Sequence, residues 1–246
     1  MVLRNEDLDK ARCKPEFVQA MFEDLRWFGF AWSEGPDVGG PFAPYNQSER
    51  TNIYREVLEK LRAGNFIYPC TCSRKDIQAA VTAPHAADDE VIYPGTCRKN
   101  SGVEVPSLIR KSSFCWRFRV PDGETISFMD GNLGEQRFTA GKDFGDFVVW
   151  RGDDVPAYQL ACVVDDAAMQ ITEVVRGEDL LVSTARQILL YRALNWNPPA
   201  FYHCELLRDE AGQRLAKRHD SLSLRQLRAA KNRPEDLRKN WRPNIS

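Results

Sequence analysis

Hydrophobic positions in the first sixty residues recur at helical spacing in two stretches. Pro15 opens the first, where Phe17, Met21, Phe22, Leu25 and Phe28 share a face and Gly29 stops the run. Ser48 is placed to cap the second, whose stripe is Ile53, Val57, Leu58 and Leu61 and whose end is Gly64-Asn65. Between them, residues 34–45 hold three glycines and three prolines, a loop composition. The period then changes. Residues 67–71 are a strand candidate, and Phe114, Trp116, Phe118 and Val120 alternate with Cys115, Arg117 and Arg119, predicting a half-buried strand. Residues 125–129 and 147–150 continue a β-rich middle. The unbroken apolar run 160–164, ahead of Asp165-Asp166, reads as a buried parallel strand that ends at a polar site. A strand at 172–175 and a helix over 183–194, with Ile188, Leu189 and Tyr191 inward, follow. Residues 2–4 read as a short strand before an acidic turn, and residues 81–90, small and weakly patterned, as a loop. The order is α/β at both ends with a β-rich insert between, and no internal repeat.

Composition narrows the partners. The chain has 246 residues, 43% of them apolar, enough for a large core. Its formal net charge of −1 carries no overall nucleic-acid footprint, so an RNA contact must come from a local patch. From Arg208 onward, eleven Lys/Arg face five Asp/Glu, which is either such a patch or a solvated tail. No stretch approaches the roughly 18 apolar residues of a membrane span. The charged start shows no secretory signal, and the seven cysteines are an odd number. Both features lead us to expect a cytoplasmic protein with free or metal-bound thiols, and no membrane partner.

Three groups of residues carry candidate chemistry. Cys70 and Cys72 end a strand, and Tyr93 and Cys97 follow in Tyr-Pro-Gly-Thr-Cys. Thiolates suit zinc, and a structural site takes four donors, so the phenolate of Tyr93 can complete three cysteines. The alternative is three free cysteines beside a packed tyrosine. A Cys70–Cys72 disulfide is disfavoured, because alternate positions on an extended chain point apart. In the second group, Glu6 lies among three carboxylates in four positions and can hold an ammonium. Tyr158 precedes the apolar run, and Arg176 follows the strand at 172–175, where a guanidinium can clamp a carboxylate with two parallel bonds. Together they suit a small zwitterion with an acidic side chain; taken singly they are surface residues. The third group is the basic loop 212–219, in which Lys217 can meet transferring phosphates, although basic surface loops are common.

These groups fall in a familiar order. Arg4-Asn5-Glu6-Asp7-Leu8-Asp9 is similar to the Arg-Ile-Glu-Asp-x-Asp of the glutamyl-tRNA synthetase family. Residues 24–32, 37–45 and 47–50, Ala157-Tyr158, Val164-Asp165-Asp166 and Glu173-Val174-Val175-Arg176-Gly177 also resemble that family. Arg214-Leu215-Ala216-Lys217-Arg218 resembles the Lys-Leu-Ser-Lys-Arg form of the second class I signature. The resemblance implies a Rossmann-type class I catalytic fold with a β-rich zinc-binding insert. Its parts would be residues 1–66 with 145–220, the insert 67–144, and a basic segment 221–246. It implies that Glu6 and Tyr158 bind L-glutamate through its amino end, that Arg176 pairs with a glutamate carboxylate, and that Lys217 contacts ATP, with Mg2+, as the catalytic cation. It also implies that Cys70, Cys72, Tyr93 and Cys97 hold Zn2+.

Length points within the family to the glutamyl-queuosine tRNA(Asp) synthetases, which lack a helical anticodon-binding region. They activate glutamate with ATP, independently of tRNA, and transfer it to queuosine at the wobble position of tRNA(Asp). A monomer is expected. The alternatives are a non-catalytic module that binds glutamate or tRNA, and the catalytic fragment of an ordinary glutamyl-tRNA synthetase. Two departures bear on this. Arg214 and Ala216 replace the signature's first lysine and its serine. The histidine-containing first signature has no counterpart before Arg4, and His85, His203 and His219 lie elsewhere. The expectation is therefore a fold lacking its usual first strand and helix, through N-terminal truncation.

Overall fold

The computed structural model describes residues 1–9, 13–73, 75–77, 92–98, 114–206 and 223–240. In chain order the elements are α1 Pro15–Phe28, α2 Thr51–Ala63, β1 Ile67–Cys70, β2 Cys115–Phe118, β3 Thr125–Asp130, β4 Gly134–Thr139, β5 Phe147–Trp150, α3 Tyr158–Ala168, β6 Glu173–Gly177, α4 Leu181–Leu194, β7 Ala200–Cys204, α5 Leu224–Ala229 and α6 Pro234–Asn240. The chain divides into two compact units, Met1–Arg50 with Leu206–Ser246, and Thr51–Glu205. Residues 81–90 and the basic loop 212–219 lie outside the described residues.

In the first unit, α1 begins at Pro15, whose fixed φ and missing N–H suit a first helical position. Gly29 ends it at φ 101°, a conformation strained for any side chain, and its N–H and that of Phe30 close on Arg26 and Leu25. Phe22 and Phe28 are buried, but Phe17 is 52% exposed. The period shows which residues share a face, not how far along the helix that face is covered. Residues 2–4 form no strand. Val2 bridges Glu34 and Asn5 bridges Asn46, each as an isolated pair. Their partner is the glycine- and proline-rich loop, which offers no continuous ladder. Ser48 does not cap a helix. It lies in a 3-10 turn, Gln47–Glu49, and its Oγ and N–H donate to Asp7 at 2.6 and 2.8 Å, while α2 starts at Thr51. The competing bond to Asp7 takes the hydroxyl that a cap requires. Part of the basic C-terminal segment is helical: Ser223 caps α5, and Arg225 and Arg228 reach Asp24 of α1.

The second unit holds two sheets. One is antiparallel, in the order β1-β2-β5, and the other is mixed, β4-β3-β7-β6, with β3 parallel to β7 and β7 parallel to β6. In the second sheet Arg176 on β6 lies opposite His203 on β7. The run 160–164 is not a strand. It forms the middle of α3, in which every residue from Gln159 to Asp166 is buried. A short apolar run is compatible with a buried strand or a buried helix, because both are enclosed on all sides. Asp165 therefore does not mark a strand end: its two oxygens accept from the Tyr54 hydroxyl at 3.0 and 2.9 Å, tying α3 to α2. α4 is similarly enclosed from Ser183 to Tyr191 and ends at Asn195, at φ 56°.

Candidate functional site

β1 and the segment at 92–98 bring the first group together. The sulfurs of Cys70, Cys72 and Cys97 lie within 4.8 Å of one another. The Tyr93 hydroxyl stands 3.4 Å from Cys70 Sγ and 3.5 Å from Cys72 Sγ, which in turn is 3.5 Å from Cys97 Sγ. In a tetrahedral zinc centre, bonds of about 2.3 Å to sulfur place the sulfurs about 3.7 Å apart, so these separations fit such an ion. No disulfide joins the pair 70 and 72, as expected. Arg117, buried on β2, donates from Nε to Cys70 Sγ at 3.3 Å and stacks 4.1 Å over the Tyr93 ring. Cys115, opposite Cys70 in the β1–β2 register, points its thiol at the Cys70 carbonyl.

Electrostatics in this cluster are frustrated. The Cys115 thiol, the Tyr93 hydroxyl and Arg117 bring the Cys70 thiol down to about 4, against its burial. Burial pushes the Cys72 thiol up to about 11 and the Tyr93 phenol above its ordinary value. Several soft donors thus compete for one negative charge, the condition a divalent cation relieves.

The second group is split between the units. Tyr158 and Arg176 meet in the second. Arg176 donates from Nη1 to the Tyr158 hydroxyl at 3.4 Å, from Nη2 to Thr184 Oγ1, and from Nε to His203 Nε2 at 3.3 Å. Its guanidinium also lies 5.3 Å from the Phe201 ring centroid. Those three bonds use three of its five N–H groups. The remaining two sit one on each terminal nitrogen, the fork that grips a carboxylate. Among the described residues, Arg176 has no carboxylate partner. Tyr158, at the first position of α3, is 37% exposed. A cleft of about 640 Å³ is lined by Tyr158 and Gln159 and also by Tyr93 and Arg117 of the cysteine cluster. Glu6 belongs to the first unit, where it is exposed and takes a 3.0 Å bond from Arg4. Its neighbour Asp7 is committed to Ser48. Lys217 lies outside the described residues.

Behind Arg176 stands a set of residues that sequence patterns did not single out. His203, on β7, is fully buried; its Nδ1 is 2.6 Å from Asp130 Oδ2, and its Nε2 is 2.9 Å from Thr184 Oγ1. Burial alone raises the Asp130 carboxyl, but bonds from His203 and from the N–H groups of Leu133, Asn132 and His203 bring it below the usual carboxylate value. The one available signal was alternation, since Phe201 and His203 are buried on β7 and Tyr202 and Cys204 less so.

Comparison with known proteins decides the family. The model of the tRNA synthetases class I (E and Q), catalytic domain, matches residues 1–241. The chain belongs to this family. It is a class I aminoacyl-tRNA synthetase homologue of mixed α/β structure, and so a ligase-type enzyme. It is 50% identical to the glutamyl-Q tRNA(Asp) synthetase of Symbiobacterium thermophilum, over 96% of this chain and 73% of that protein. It is 48% identical to the glutamyl-Q tRNA(Asp) synthetase of Nitratidesulfovibrio vulgaris, over 94% of this chain and 71% of that protein. Among solved structures, the glutamate-tRNA synthetase of Elizabethkingia anophelis superimposes with a TM-score of 0.77 at 31% identity, covering 89% of this chain and 46% of that one. The synthetase chain thus spans less than half of this last relative. Among its described residues, no helix is long and apolar enough to cross a membrane.

Proposed function

We propose that this class I synthetase homologue activates L-glutamate with ATP, without tRNA for that step, and transfers it to queuosine at the wobble position of tRNA(Asp). The observation that carries the glutamate reading is Arg176, with one N–H left on each terminal nitrogen and no carboxylate partner among the described residues, held beside the Tyr158 hydroxyl. In this reading Arg176 grips a glutamate carboxylate with two parallel bonds, which lysine cannot copy. Glu6 and Tyr158 take the amino end, and Lys217 steadies the ATP phosphates together with Mg2+. Cys70, Cys72, Tyr93 and Cys97 hold Zn2+, which locks β1 to the segment at 92–98. Residues 1–66 and 145–220 carry the nucleotide-binding fold, 67–144 the zinc-binding insert and 221–246 a basic segment that meets tRNA. The protein acts as a cytoplasmic monomer. The names of the two relatives above, 73% and 71% covered, support the queuosine acceptor.

A second reading, the catalytic part of a glutamate–tRNA ligase, draws on the likeness to the Elizabethkingia anophelis structure. Two assays separate them. Glutamate-dependent exchange of pyrophosphate into ATP is expected without tRNA, and labelled glutamate is expected on queuosine-bearing tRNA(Asp). Exchange that requires tRNA, with charging of tRNA(Glu), supports the second reading. No exchange under either condition defeats both.

A further inference from the structure

We infer that His203 is the positioning residue of Arg176, its ring held by the Asp130 carboxylate so that an unprotonated Nε2 receives the guanidinium from behind and leaves the terminal N–H pair for a substrate carboxylate. This rests on Arg176 being the partner of a glutamate carboxylate, as proposed above.

The hydrogen bonds admit one arrangement of protons. Asp130 is 2.6 Å from Nδ1 and receives backbone N–H groups from Asn132, Leu133 and His203. It stands among donors as a carboxylate, which only accepts, so Nδ1 carries a proton. On the far side, Nε2 faces Arg176 Nε at 3.3 Å. Arginine only donates, so Nε2 must offer its lone pair. The opposite tautomer sets two acceptors against each other at Asp130 and two donors against each other at Arg176. Thr184 fits the first arrangement when its single proton points at His203 Nε2, 2.9 Å away, rather than at the Leu180 carbonyl at 3.2 Å, while its oxygen accepts from Arg176.

The fold makes the arrangement rigid. Arg176 and His203 are opposite each other in the β6–β7 register, and Asp130 ends β3, which pairs with β7 beside Phe201. Three elements of one sheet and the first turn of α4 therefore aim a single guanidinium. Arginine has long, rotamer-rich side-chain freedom, and holding its inner edge in advance removes that cost from substrate binding.

The test combines one spectroscopic and one functional reading. Long-range proton–nitrogen correlation on the full chain with nitrogen-15 histidine reads the tautomer, with the His203 signals assigned as those that remain when His85→Gln and His219→Gln are combined. A protonated Nδ1 and a bare Nε2 are expected, and a protonated Nε2 overturns the inference. His203→Asn keeps the donor to Asp130 and loses the acceptor for Arg176, whereas His203→Gln restores an acceptor near the Nε2 position. The KM for glutamate is expected to rise about tenfold in the asparagine variant and to stay within about threefold in the glutamine variant, with the KM for ATP unchanged in both. Equal effects of the two variants, or a matching change for ATP, overturn the inference. If Arg176→Lys weakens glutamate and His203→Asn does not, the positioning role falls and the reading of Arg176 stands. If Arg176→Lys leaves glutamate unaffected, that reading itself falls. Should neither histidine variant fold, the tautomer in the unaltered chain still decides.

Discussion

The four candidate metal donors come from two short motifs, Cys70-x-Cys72 and Tyr93-x3-Cys97, whereas the groups around Arg176 come from β3, α3, β6, α4 and β7. The two regions also stand differently without a ligand. In the cluster, thiols and a phenol crowd within 4.8 Å for three of the sulfurs, and their charges compete. Around Arg176 three of the five N–H groups are bonded, and one is left on each terminal nitrogen. On the proposed reading the first region is completed by the ion it would hold, so binding there is coupled to folding. The second would be built before glutamate arrives, so binding there would spend little on reorganisation.

Damage to the cluster should therefore cost stability, and damage near Arg176 should cost affinity. The largest effect is expected from Cys72→Ser. Elemental analysis should find about one zinc per chain in the natural protein and much less in the variant, with a melting temperature lower by about 10 °C or more. Metal-free protein that melts at the same temperature as the metal-loaded form would erase the contrast between the regions.

Arg117→Met should come next. Arg117 touches a donor without being one, and loss of such a partner typically weakens a metal about 10- to 100-fold. A competition titration with a zinc chelator reads this directly. Unchanged zinc affinity would mean that Arg117 only fills space beneath the Tyr93 ring.

A smaller, pH-dependent effect is expected at Asp130. Against its burial, bonds from His203 and three backbone N–H groups hold its folded value below the ordinary carboxylate value, so its contribution to stability is complete above the ordinary value and is lost as pH falls through the folded value. Asparagine at this position does not titrate. The stability gap between the natural chain and Asp130→Asn, from urea unfolding, should be widest near neutrality and narrow as pH falls below the ordinary carboxylate value. A gap that does not change with pH would show that Asp130 acts through packing alone.

The same contrast explains what could be read from the chain. Cys70, Cys72, Tyr93 and Cys97 were legible because donors two or four residues apart cannot avoid being neighbours. β3 was legible because its alternation matched its exposure; β1, β5 and α4 were placed correctly although they are buried along most of their length. α3 was misread because burial on all sides removes the period that tells helix from strand. The strands β4 and β7 passed unnoticed: β4 fully buries none of its residues, and β7 follows Pro198-Pro199 with only five residues. Asp130, Thr184 and His203 carry no local signature, since their meaning depends on a parallel register that joins positions 27 and 73 residues apart. Glu6 and Arg176 were named as candidates one by one, yet only the three-dimensional arrangement shows that Asp7 is spent on Ser48 while Arg176 keeps one unused N–H on each terminal nitrogen.

Glutamate binding measures the role of Arg176 most directly. Calorimetric titration of the full chain should give saturable glutamate binding, weakened about 100-fold or more in Arg176→Lys, because lysine keeps the charge but loses the paired N–H geometry. Aspartate, shorter by one methylene, should bind more weakly than glutamate to the natural chain. Equal glutamate affinity in the natural and lysine chains would contradict the central claim.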